Sequence, residues 1–237
     1  MKDISKYLAG ALVLLNPVTA KAADLAVKAP PVTPVAAVYN WTGMYIGVNG
    51  GYGWGSHDPL DLIAGGFDPG RNFSTSGGFI GGTIGAQIQQ GYVVLGGEAD
   101  LDWANITGSG TVIPSIAGVA QPFTIGLTSK TEGIGTARIR AGVALNNWLL
   151  YATGGVALLD ETAKGTNVNG VPCGAVGVLT SCPASHWRPG GAVGLGTEYA
   201  FTPNWTVKGE YLYISAIGTG SAKNEINLLR FGVNYKF

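Results

Sequence analysis

Charge is scarce in this 237-residue chain, and long apolar runs are missing. Only 12% of the residues are Asp, Glu, Lys or Arg, about half the usual share of roughly 25%. A water-soluble domain of this size needs more charge to cover its outside. Past the first 22 residues, no stretch supplies the 18 or so consecutive apolar residues that a transmembrane helix requires. Net charge is zero, which gives no case for nucleic acid. Cys173 and Cys182 have only one histidine near them, His186, one ligand short of the usual four-coordinate zinc site. A chain too apolar for water and too interrupted for helical spans is left with one membrane solution, the closed β-barrel.

The leader is legible in three signals taken in order. Lys2 and Lys6 form a charged head, Tyr7 to Leu15 a short apolar run, and Ala20-Lys21-Ala22 a small-residue cleavage site. This predicts a secretory signal peptide over 1–22. From 23 to 40 the chain carries three prolines and no periodicity, the composition of an extended periplasmic spacer. Residues 41–237 show no second change of composition and fit one domain.

That domain is written in period two. Stretches with apolar residues on one face and polar or glycine residues on the other run over Gly43–Trp54, Gly78–Gln89, Val93–Ala104 and Thr131–Leu145. They continue over Trp148–Leu159, Gly190–Phe201, Trp205–Ile214 and the closing LLRFGVNYKF. Tight turns are expected at Gln90-Gly91, Asn146-Asn147 and Thr202-Pro203-Asn204. Long links are expected at Gly55–Gly77, Asn105–Lys130, Asp160–Pro189 and Ser215–Asn224. Short turns at one end and long loops at the other predict an eight-stranded antiparallel up-and-down transmembrane β-barrel with both termini periplasmic. Pro189 is expected at the outer rim, since a mid-strand proline deletes a ladder bond.

A soluble barrel would also alternate, and the charges decide which face is inside. Glu98, Asp100, Asp102, Glu198 and Glu210 can meet Arg138, Arg140, Lys208 and Arg230 on the polar face. So few charges cannot wet an exterior, but they suit a narrow lumen in which buried ions pair. Eight strands leave an interior just wide enough for side chains to fill it. Gly43, Gly47, Gly81, Gly85, Gly194, Gly196 and Gly232 share that face and make room. Outward aromatics gather near the strand ends: Trp148, Tyr199, Phe201, Trp205, Tyr235 and Phe237 toward one rim, Tyr52, Trp54, Trp103, Tyr211 and Tyr213 toward the other. Two interfacial girdles are therefore expected.

The segments NWTGMYIGVNGGYGWG, GGEADLDWANI, TARIRAGVALNNWLLYATGGVA, LGTEYAFTPNWTVKGEYLY and LLRFGVNYKF resemble the outer-membrane immunogenic protein family of alphaproteobacteria, within the wider opacity/porin-like small barrels. The resemblance covers nearly the whole mature chain. It implies a surface-antigen barrel of the bacterial outer membrane, in contact with lipid and lipopolysaccharide. It also implies that the terminal aromatic strand, with Tyr235 and Phe237, is the label read by the barrel-assembly machinery. A mature start at Ala23-Asp24 resembles the family segment that transpeptidases join to peptidoglycan, and 16 extended residues, Asp24 to Tyr39, reach roughly 50 Å.

Other chemistry finds little support. Cys173 and Cys182 sit in one exported loop and read as a disulfide. Some relatives resemble haem binders, and His57 and His186, expected in outer loops, are the residues that could ligate haem iron, but a solvated loop histidine is the reading that outweighs it. Ser56-His57 and Ser185-His186 juxtapose a hydroxyl and an imidazole, but neighbours on an extended chain point apart and no orienting acid follows. GGAVGLG at Gly190–Gly196 lies in a strand with no helix after it, which excludes a nucleotide loop. The expected protein is therefore a cofactor-free, non-enzymatic barrel serving envelope integrity. Its rivals are a small porin and a loop-based receptor or adhesin.

Overall fold

In a bilayer every backbone N–H and C=O must find a partner within the protein, and hairpins that close on themselves meet that demand without an edge. A computed structural model describes residues 39–57, 73–112, 115–116, 119–120, 125–168, 185–217 and 223–237. Its barrel strands are β1 (Gly43–His57), β2 (Phe73–Gln90), β3 (Val93–Val112), β4 (Ile125–Leu145), β5 (Trp148–Val168), β6 (Ser185–Ala200), β7 (Trp205–Ile217) and β8 (Lys223–Lys236). Each pairs antiparallel with its sequence neighbours, and β8 pairs with β1 from Tyr45↔Lys236 to Ser56↔Glu225, closing the barrel. A separate two-residue hairpin joins Ser115–Ile116 to Val119–Ala120 inside the expected β3–β4 loop.

The tight turns gather at one end. Gly91-Tyr92 links Gln90 to Val93, with Gly91 at φ 60°, which shifts the expected Gln90-Gly91 turn by one residue. Asn146-Asn147 links Leu145 to Trp148, with Asn146 at φ 55°, a left-handed conformation asparagine tolerates. Phe201 N–H donates to the Trp205 carbonyl across the third turn.

At the opposite, loop end the strands run further than the sequence indicated, and parts of all four expected loops are strand. β4 and β5 have 21 residues each, where a membrane crossing needs about 9–11. His57 and His186 therefore belong to strands, paired with Phe73 and Glu161, not to loops. Pro189 lies within β6, opposite Leu158, rather than at its start. Among the described residues the β6–β7 ladder begins at Gly190, so Pro189 pairs with β5 alone. Glu132 and Gly133 form an irregularity where β4 shifts register against both neighbours. These extensions escaped the period-two reading because outside the bilayer the outward face no longer has to be apolar.

The inside-out pattern holds along every strand. Ile139 is 76% exposed and Val193 58%, whereas Arg138 and Arg140 are 3% exposed. Outward rings pair at the turn end, Trp148 with Tyr199 at 4.8 Å and Trp205 with Tyr235 at 5.1 Å. Toward the loop end Trp54 and Tyr211 stand 6.4 Å apart, and the Tyr211 hydroxyl donates to Asn227.

Candidate functional site: a charge layer sealed in the lumen

Inward positions sort into three layers. The floor, at the turn end, is apolar: Trp41, Val94, Ala144, Leu149 and Ala200 are all buried together with Tyr39. Trp41 is fully buried just before β1, and its backbone N–H donates to Gln89 at 2.8 Å. Tyr39 stacks edge-on against Trp41 at 4.7 Å, with the Lys236 ammonium 4.1 Å from its ring. Burial, with the Glu198 charge adding to it, pushes the Tyr39 phenol up to about 12. At the ceiling, toward the loop end, Phe79, Ile106, Ile134, Leu159, Leu212, Ile214, Ile226 and Leu228 form a second apolar cluster.

Between the two lies the charge layer, and it brings together all nine of the residues picked out by sign and parity. Arg138 Nη2 donates to Glu98 at 2.7 Å and Asp100 at 2.6 Å, while Nη1 donates to Glu210 at 2.8 Å. Arg230 reaches Asp100 at 2.9 Å and Asp102 at 2.8 Å. Lys208 donates to Glu98 at 2.9 Å. Arg140 donates to Glu198 at 2.6 Å and lies 3.4 Å from Glu98. None of the nine is more than 5% exposed. Charges this deep are tolerated only when paired and hydrogen-bonded on their remaining atoms.

Neutral groups that alternation alone did not single out add to that bonding. Tyr45 donates to Glu98 at 2.9 Å and Tyr151 to Glu210 at 3.1 Å. Arg140 lies over the Tyr151 ring, 3.9 Å from its centroid. Asp100 accepts from the hydroxyls of Thr83 at 2.5 Å and Thr136 at 2.9 Å, and Glu198 from Thr206 at 2.5 Å and Asn234 at 2.9 Å. Inward glycines leave the space: a Cβ at Gly85 would stand 2.3 Å from the Tyr45 ring, and one at Gly196 2.4 Å from the Tyr151 ring. Parity could have found Tyr45, Asn49 and Tyr151, which share the inward face with glycines or acids. The apolar seals had a signal too. Leucine doublets at 149–150, 158–159 and 228–229 must each turn one leucine inward.

Above the ceiling, Arg188 pairs with Glu161 at 3.0 Å and Asn224 donates to the same carboxylate at 3.0 Å. The terminal aromatics lie on the lipid face: Tyr235 and Phe237 rings meet at 5.3 Å, and Phe237 N–H donates to the Met44 carbonyl at 3.0 Å. The proposed signal peptide, Ala23, Asp24, Cys173 and Cys182 lie outside the described residues.

Residues 20–237 match the family model described as "Outer membrane protein beta-barrel domain". The 31 kDa outer-membrane immunogenic protein of Brucella melitensis is 32% identical over 92% of this chain and 94% of its own. The 25 kDa outer-membrane immunogenic protein of Brucella abortus is 30% identical over 98% of each. Among solved structures, Neisserial surface protein A is 15% identical, with a TM-score of 0.45, over 83% of this chain and 98% of its own.

Proposed function

We propose, from the premise that this chain belongs to the outer membrane protein β-barrel domain family and lies in the bacterial outer membrane, that it is a structural surface barrel built to stay shut. The observation that carries this reading is the layering of the lumen. A water-filled pore keeps its charged side chains wetted, whereas here nine charged groups are buried against one another between two apolar seals. Interior hydrogen bonds join β1, β2, β3, β4, β5, β7 and β8 through the same cluster, so the layer braces the cylinder from within. The links 58–72, 113–124, 169–184 and 218–222, which leave from the end opposite the tight turns, are the surface-presented part. The relatives' designation as immunogenic fits that role.

The second half of the proposal is a mechanical one. The chain enters the barrel through Trp41, gripped by the floor and by Gln89. A spacer cross-linked to peptidoglycan at Ala23-Asp24 would thus end on a rigid anchor, tying the membrane to the wall. Murein digested from cells making this protein is the test. Muropeptides carrying Ala23-Asp24 support the tether, and a free α-amine on every recovered mature chain refutes it. Assembly through the terminal strand and contact with lipopolysaccharide at the aromatic belts complete the reading.

A further inference from the structure

The charge layer does not balance. Glu98, Asp100, Asp102, Glu198 and Glu210 supply five acids, and Arg138, Arg140, Lys208 and Arg230 four bases, all buried. One uncompensated charge between two apolar seals costs several kcal/mol, and a buried acid in that position is relieved by taking up a proton.

The hydrogen bonds show where. Asp100 accepts from Arg138, Thr83, Thr136 and, at 3.4 Å, Asn49, with Arg230 ion-paired beside it; Glu98 from Arg138, Lys208 and Tyr45; Glu198 from Arg140, Thr206 and Asn234; Glu210 from Arg138 and Tyr151. Both oxygens of each are engaged. Asp102 differs. Its Oδ2 accepts from Arg230 at 2.8 Å, but its buried Oδ1 meets no donor in good geometry, and the Asn49 side chain is the polar group beside the carboxyl.

A second orphan lies in the same row. Asn49 pairs with Gly81 across the β1–β2 ladder, and Gly81 with Asp102 across the β2–β3 ladder. The side chains of Asn49 and Asp102 thus flank a glycine that has none, and Asp102 Oδ1 leans over it, 2.1 Å from where a Cβ would stand. Asn49 Oδ1 is also buried and unpartnered. Its amide cannot turn round to help. The Thr83 hydroxyl spends its hydrogen on Asp100, so Thr83 offers Asn49 only lone pairs, and the amide nitrogen must face it, at 2.9 Å.

From the excess acid, the two orphan acceptors and their shared row, we infer that Asp102 carries a proton in the folded barrel, its Oδ1–H donating to Asn49 Oδ1. One proton then satisfies both oxygens and brings the layer to neutrality. Arg230 from β8, Lys208 and Glu210 from β7, Arg138 from β4 and Asp100 on its own strand are the charged groups of the layer around it, while β1 and β2 contribute Asn49 and Thr83.

Infrared spectroscopy of the mature barrel, refolded at pH 7 in an ester-free detergent, tests this directly. Exposed carboxylates are ionised there, so a protonated-carboxyl stretch reports the buried acid alone. The band is expected in the wild type, to shift when aspartate is 13C-labelled, and to vanish in Asp102→Asn. That variant keeps an oxygen for Arg230 and gains an N–H for Asn49, so its urea midpoint should equal or exceed the wild type's, while Asp100→Asn should lower it. No band in the wild type, a band that moves with labelled glutamate, or a band that survives in Asp102→Asn overturns the proposal. A drop in midpoint for Asp102→Asn as large as for Asp100→Asn also overturns it. Sodium held in place of the proton would give the first of these results.

Discussion

Arg138 and Glu210 come from strands three places apart in the barrel wall and meet in the lumen at 2.8 Å. The same guanidinium also holds Glu98 and Asp100. Its loss would leave three buried carboxylates short of their shared cation. Breaking a buried pair by removing one partner costs about 3–5 kcal/mol, whereas an exposed pair is worth about 1 kcal/mol or less. Arg138→Met should therefore lower the unfolding free energy of the refolded barrel, read from urea titration, by an amount in the first range. Glu132→Ala, which breaks the half-exposed Lys130–Glu132 pair, should stay within the second. Equal effects would mean that the layer does not brace the barrel.

The inward glycines give a paired test of the same packing. Gly85 lies beneath the Tyr45 ring, and that ring carries hydrogen bonds to both Glu98 and Arg140. Gly85→Ala must displace Tyr45 and should cost about 1–3 kcal/mol, as overpacking generally does. Gly191 faces outward with nothing within 4 Å of an added Cβ. Gly191→Ala should be neutral or gain up to about 1 kcal/mol, because alanine loses less backbone freedom in a strand. Thermal loss of the compact form on electrophoresis would rank the two.

Alternation carried the eight strands, their inward acids and bases, and the turn at Asn146-Asn147, because a lipid-facing surface admits only apolar side chains and forces period two upon the chain. That constraint stops at the membrane boundary, so Thr107, Ser109 and Thr162, which follow no lipid-facing rule, read as loop although they lie in β3 and β5. The seals were harder for a different reason. Leu149 and Leu212 are as apolar as any lipid-facing leucine, and only their parity marks them as inward. Which carboxylate meets which cation depends on the closure of the cylinder: Lys208 and Glu98 are 110 residues apart and touch because β8 pairs with β1. Nothing local in the sequence encodes that pairing.

The terminal strand makes a separate prediction. Phe237 contributes a backbone bond to Met44 and a ring against Tyr235, itself packed on Trp205. Deleting Phe237 removes one ladder bond of several in the β1–β8 seam, so the refolded barrel should keep nearly its full stability. In cells the folded, heat-modifiable fraction in the outer membrane should fall several-fold if, as proposed, the residue is also the label for insertion. Equal loss in vitro and in cells would assign Phe237 to stability alone, and no loss in either would remove it from assembly.

Conduction separates the shut barrel from a small porin. Ions crossing this lumen would have to pass Trp41 and Leu149 at the floor, displace the Arg138 and Arg230 pairs, and then cross Ile106, Leu212 and Ile226 at the ceiling. In the shut-barrel proposal each layer blocks by itself, the seals by excluding water and the middle by filling its section with paired side chains. The pure protein in planar bilayers should therefore show no unitary steps. Trp41→Ala should stay silent as well, because the charge layer and ceiling remain. It should instead lose stability by about 3–5 kcal/mol, the cost of deleting a buried tryptophan. Regular steps from the wild type would sink the shut-barrel reading. Steps from Trp41→Ala alone would show that the floor is the true gate and that the layers above it already admit water.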